Sequence, residues 1–273
     1  MENNWHSIER IEQQEIEAKK AMENFFGKGR KGFCDYALDG IDLMIKGVLC
    51  FRDTEIDKYV DVDKVKYNDF RHALRIFSYY HYYRIIFSFK AAYNLLLQGY
   101  YTESAFLMRH IVETFVRLKY IAKKQNEDLV NLAFAGHGGL KGKKFNVTYE
   151  KQFDEIAPGL YKYYRILCDI SHGAIASYIL KSDLSAEGEI QLDPGIVFKS
   201  YESTYVINQF SIYLLAHIEF MKWVFPEINK NRSESYAKRE HEVLAFLWSL
   251  MEQISENDRN KLWYDAVKQF VNV

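Results

Sequence analysis

Positions 67–98, YNDFRHALRIFSYYHYYRIIFSFKAAYNLLLQ, hold 32 consecutive residues with neither proline nor glycine. At 1.5 Å per residue an uninterrupted α-helix of that length runs for about 48 Å, most of the width of a domain. Apolar and aromatic side chains lie around almost its whole circumference, so it is predicted to be the central buried helix. A chain organised around such a segment needs further helices to cover it. The rest supplies them: only 3 prolines and 14 glycines interrupt 273 residues.

Flanking signals place the neighbours. Residues 7–26 read as a polar amphipathic helix stopped by Gly27 and Gly29, and 31–51 as a more apolar one. Gly99 ends the long segment, and Thr102 and Ser104 offer N-caps to a helix over 103–125. A short helix follows Asn126, another covers 148–157, and 160–180 forms the next after Pro158 and Gly159. Three more are expected at about 200–225, 233–254 and 257–271. Between them, EIQLDPGIVF alternates around an Asp-Pro-Gly turn and predicts a small β-hairpin near 188–199. The expected fold is therefore all-α, a single bundle of eight to ten helices. Residues 1–62 would form an N-terminal helical hairpin and connector, 63–225 the core bundle and 232–273 the C-terminal helices.

Charge narrows the function. The formal net charge is -1, so no global basic field attracts nucleic acid, and a polyanion would have to meet a local patch. Cys34, Cys50 and Cys168 are too few and too scattered for a disulfide framework or a zinc site. An acidic, polar N-terminus and the lack of a long apolar run predict a cytoplasmic location without membrane contact. The aromatic content, 16% with 21 Tyr, suits half-buried faces and pockets.

Three stretches carry candidate chemistry. GHGGLKGKK, from 136, is a glycine-rich basic loop whose Lys141, Lys143 and Lys144 could touch phosphates. It fails as a Walker loop, because His137 stands where the first glycine is required and Lys144 replaces Ser or Thr. On the helix over 103–125, Arg109, Glu113 and Arg117 alternate in charge at four-residue spacing within otherwise apolar sequence. A buried Arg–Glu pair costs desolvation, which points to a polar pocket or an interface unless it is simply a satisfied ion pair. In YYRILCDISHG, Arg165 and His172 lie seven residues apart and so leave one helix face. A di-metal bundle is only half matched, by His110 with Glu113 and by Asp169 with His172, and neither a metal nor another cofactor is expected.

The Arg165-to-His172 spacing resembles the Arg-x(4–6)-His signature of the HEPN superfamily of helical ribonucleases and toxins. Arg75 and His81 fit the same spacing but lie about 120° apart on a helix. A broader likeness pairs Arg109 and Glu113 with Tyr164, Leu167, Cys168, His172 and Gly173. It resembles an uncharacterised bacterial helical family with R-x3-E and L-[SC]-x3-H-[GS] motifs, some of whose neighbours sit near phage-defence systems. That likeness covers residues 92–180, while the HEPN resemblance implies a dimeric, metal-independent endoribonuclease or toxin. His172 would then be the general base or acid, Arg165 or Arg109 would stabilise the phosphorane, Glu113 would orient a cation, and Tyr164 with the loop lysines would bind RNA. The alternative reading is a non-catalytic helical scaffold for a protein partner or a small ligand, so enzymatic activity itself stays open.

Overall fold

The computed structural model describes residues 8–26, 32–55, 69–135, 142–171, 182–184, 190–192, 200–231, 233–255 and 261–272. Eleven helices occur among them. In chain order they are α1 (Ile8–Phe26), α2 (Phe33–Glu55), α3 (Phe70–Leu97), α4 (Tyr101–Lys124), α5 (Glu127–Ala135), α6 (Tyr149–Ile156), α7 (Tyr161–Ser171), α8 (Ser200–Val224), α9 (Glu227–Asn231), α10 (Glu234–Ser255) and α11 (Lys261–Val271). The helical class and most boundaries agree with the sequence reading.

Two short strands occur among the described residues: Ile190–Leu192 (β2) pairs antiparallel with Ser182–Leu184 (β1), upstream of it. Residues 193–199, where the Asp-Pro-Gly turn was expected, lie outside the described ones.

Helix α3 starts where Asp69 accepts a hydrogen bond from the His72 amide at 2.8 Å. It ends at Gly99, whose φ of 86° is open to glycine without strain. Helix α4 begins two residues earlier than predicted, and neither Thr102 nor Ser104 caps it. Ser104 is instead buried inside the helix, and its hydroxyl donates to the Ala92 carbonyl at 2.8 Å. That bond ties α4 to α3. Asn126 does cap α5, accepting from the Asp128 amide.

The most enclosed helix is α8 rather than α3. From Val206 to Met221 almost every α8 side chain is buried, with His217 at 0% exposure. Helices α2, α3, α4, α10 and α11 all pack against α8. Helix α3 keeps Tyr83, Arg84 and Phe87 in solvent. Its aromatic circumference therefore serves two environments, as tyrosine and histidine can. Gly40 and Gly47, seven residues apart on α2, allow the approach to α8: a Cβ on Gly40 would stand 2.7 Å from Leu214 Cδ2, and one on Gly47 2.5 Å from Met221 Sδ.

One hydrophobic cluster runs from Met22 to Val271 and joins all these helices. The last helix is fastened from within. Lys119 on α4 is buried, and its ammonium donates to the carbonyls of Phe270 (2.7 Å), Asn272 (2.6 Å) and Gln269 (3.4 Å) at the C-terminus of α11. A helix leaves its last carbonyls without partners, and a cation there also meets the negative end of the dipole. Burial pushes the Lys119 pKa down to about 8, yet the three acceptors use all three protons of the charged form. One turn further along α4, Lys123 donates to the Glu155 carbonyl and Lys124 pairs with the Glu155 carboxylate at 2.5 Å, which docks α6.

Candidate functional site

Helices α4 and α7 pack side by side and bring together residues widely separated in sequence. On α4, Arg109 Nε donates to Glu113 Oε1 at 2.8 Å. On α7, the Tyr164 hydroxyl donates to the same oxygen at 2.7 Å. Cys168, one turn further along α7, hydrogen-bonds Tyr164 and is close enough to act on Arg109. Desolvation, together with the bonds to Cys168 and Glu113, holds the Tyr164 hydroxyl well above its usual pKa, so it stays a donor. The Glu113 carboxylate raises the Arg109 pKa against the opposing effect of desolvation. The pair is half-buried rather than sealed, with side chains 23% and 17% exposed. The pair is therefore mutually bonded, as its spacing suggested, but short of full burial.

The charge ladder stops at Glu113. Arg117 Nη2 donates instead to the Tyr149 hydroxyl at 2.9 Å, and its guanidinium lies 5.2 Å from the Phe145 ring centre. Tyr149 in turn packs on Tyr164 with ring centres 5.7 Å apart. Arg117, Tyr149 and Tyr164 thus extend the network one turn along α4 from Glu113.

Arg165 leaves α7 on the solvent face. Its guanidinium, fully exposed, is held in its charged form by a hydrogen bond to Tyr161 and by Asp169, residues four positions before and after it. His172, the group chosen as its partner, lies outside the described residues, as does Lys141. Lys143 and Lys144 are exposed, while Phe145 packs against the core. Of the sequence-chosen residues, Arg109, Glu113 and Tyr164 are brought together directly. No group of three or more His, Cys, Asp or Glu side chains that could hold a metal ion occurs among the described residues. No helix among them is long and apolar enough to cross a membrane.

A second cluster escaped the sequence reading. Between α3, α4 and α5 lies a cavity of about 190 Å³ lined by His81, Arg84, His110, Arg117, Tyr80 and Phe134, among others. The His81 ring stacks on His217, with centres 5.4 Å apart and planes at 9°. Nε2 of His81 and Nε of Arg117 are shut off from solvent and have no hydrogen-bond partner. Desolvation, and after it the neighbouring His217, His110 and Arg84, lowers the His81 pKa well below the usual value. His110 is lowered by desolvation and by Arg84, against the pull of Glu113. A legible signal existed: His81 and Arg84 are three apart on α3, and His110 and Arg117 seven apart on α4, so each pair shares a face. Nothing local revealed that the two faces meet.

A family model described as a family of unknown function (DUF5677) matches residues 75–160. That segment contains every residue lining the cavity, along with Arg109 and Glu113, and ends just before α7. No curated protein and no solved structure matches the chain.

Proposed function

We propose that the chain is a metal-independent endoribonuclease or toxin of the HEPN kind, working in bacterial defence, with its reacting groups on α7 and just beyond it. The observation that supports this reading is the convergence of the two motifs on Glu113. Arg109 of one and Tyr164 of the other bond the same carboxylate oxygen across 51 residues of sequence. In this reading Glu113 and Tyr164 fix Arg109, and Arg165 offers an exposed guanidinium to the phosphate. His172 takes the proton of a ribose 2′-hydroxyl, whose oxygen attacks the adjacent phosphorus. The 5′-oxygen leaves and takes up a proton, and a 2′,3′-cyclic phosphate remains. Arginine charge stabilises the phosphorane between these steps. Lys141, Lys143 and Lys144 would contact the RNA; Tyr164, chosen with them from the sequence, is buried with its hydroxyl on Glu113 and serves to position Arg109 instead. Cleavage of RNA in the presence of EDTA, lost in His172→Ala, tests it.

A second reading, a helical scaffold for a small ligand or a protein partner, is favoured by the cavity between α3, α4 and α5. Under either reading the protein works as a cytoplasmic homodimer. Exposed Tyr83 and Phe87, one turn apart on α3, and exposed Phe106 on α4 offer an apolar contact surface.

A further inference from the structure

The cavity between α3, α4 and α5 has the chemistry of an anion site. Arg84 and Arg117 bring two permanent positive charges to its wall, and no carboxylate is among the described residues that line it. Arg84 stands near enough to act electrostatically on both His81 and His110, so the cationic and imidazole groups form one cluster. Two polar atoms in this wall, Nε of Arg117 and Nε2 of His81, are buried and unmatched. Such orphans are uncommon in folded proteins, because each forfeits a hydrogen bond that water would have supplied. A group entering the cavity can supply both.

The other wall is aromatic. Phe134 meets Phe77 edge-on with ring centres 4.9 Å apart, and Tyr80 edge-on at 6.0 Å. Rings arranged in this way accept a further planar ring by stacking or edge contact. The volume, about 190 Å³, falls below the roughly 300–1,000 Å³ of clefts that take drug-sized ligands. A single ring with its charged group fits that scale, and a dinucleotide does not.

We infer that this cavity is a binding site for a small anion carrying one planar ring, a phosphate or carboxylate, whose headgroup lies among Arg84, Arg117 and His110 and whose ring packs on Tyr80 and Phe134. The site stands independently of the nuclease reading: it uses neither Arg165 nor His172, and Glu113, although its charge reaches His110, is not among the residues that line it.

Calorimetric titration of the full chain tests this with four probes: phenyl phosphate, benzoate, benzamide and inorganic phosphate. Phenyl phosphate or benzoate is expected to bind at least tenfold more tightly than both benzamide, which has the ring without the charge, and inorganic phosphate, which has the charge without the ring. Arg84 is exposed, so Arg84→Gln should leave the melting temperature of the free protein unchanged and weaken the aromatic anion at least tenfold. Arg117→Lys, which keeps the charge and loses the planar fork, should weaken it as well. The inference is overturned if neither aromatic anion binds at millimolar concentration, if benzamide binds equally well, or if Arg84→Gln binds like the wild type. Because the readout is heat of binding, the result is the same whether or not the protein cleaves RNA.

Discussion

Glu113 accepts from two donors at one oxygen, from Arg109 and from Tyr164, so its loss should be felt through both. With the pair still about a fifth exposed, water screens part of the cost. Glu113→Ala is expected to destabilise by about 1–2 kcal/mol, less than the 3–5 kcal/mol for breaking a sealed ion pair. Tyr164→Phe should cost about 1 kcal/mol, the worth of one hydrogen bond. Urea denaturation measures both, and unchanged midpoints would place the network on a fully solvated face. His217 predicts a pH effect. Its Nδ1 faces the Tyr213 carbonyl at 2.7 Å, and burial pushes its pKa down to about 3 from a usual 6.5. The unfolded chain takes up a proton below pH 6.5 that the folded chain refuses until about pH 3. Stability is therefore complete above pH 6.5 and falls as the pH drops through that window, by about 2 kcal/mol at pH 5 from His217 alone. His81 acts in the same direction. His217→Leu should make the difference in stability between pH 7 and pH 5 smaller, and an identical difference in the variant would contradict this origin.

Among the elements, α3 shows what a sequence reveals and what it hides. Its length and its Gly99 stop follow from local chemistry and were legible, while its start at Asp69 was not singled out within the 67–98 segment. Its rank was not. Tyrosine and histidine read as apolar in a helical pattern, yet here they line a cavity and a solvent face, and α8 takes the centre. The α4 start was misplaced because Ser104 had a better partner on another helix, the Ala92 carbonyl, than the amide it would have capped. The Arg109–Glu113 pair was legible because it is local, whereas Tyr164 as the third member rested on family resemblance. Arg84 and His81 were missed as a site because the facing cations come from α4. The same dependence on distant partners governs α11. Lys119 bonds three carbonyls at its end, so Lys119→Met should lower stability by about 2–4 kcal/mol. The loss should appear first as faster amide exchange across residues 261–272, and unchanged exchange there would show that packing alone holds α11.

For the molecule as a whole, Tyr83, Phe87 and Phe106 remain exposed on helices whose other faces line the core. Phe87→Glu should convert a dimer to a monomer in light scattering without loss of helix content, and a wild-type monomer at tens of micromolar protein would remove this surface as the interface. The near-neutral charge leaves RNA no long-range attraction, so cleavage would depend on a local patch around Arg165 and the loop lysines, and should fade as salt rises. The most direct measurement is the incubation of purified wild-type, His172→Ala and Arg165→Lys proteins with total cellular RNA in EDTA, followed by analysis of product ends. The nuclease reading expects wild-type fragments ending in 2′,3′-cyclic phosphate, none from His172→Ala, few from Arg165→Lys, and equal melting temperatures for all three. Intact RNA with the wild type, or fragments from His172→Ala at the wild-type rate, would contradict it.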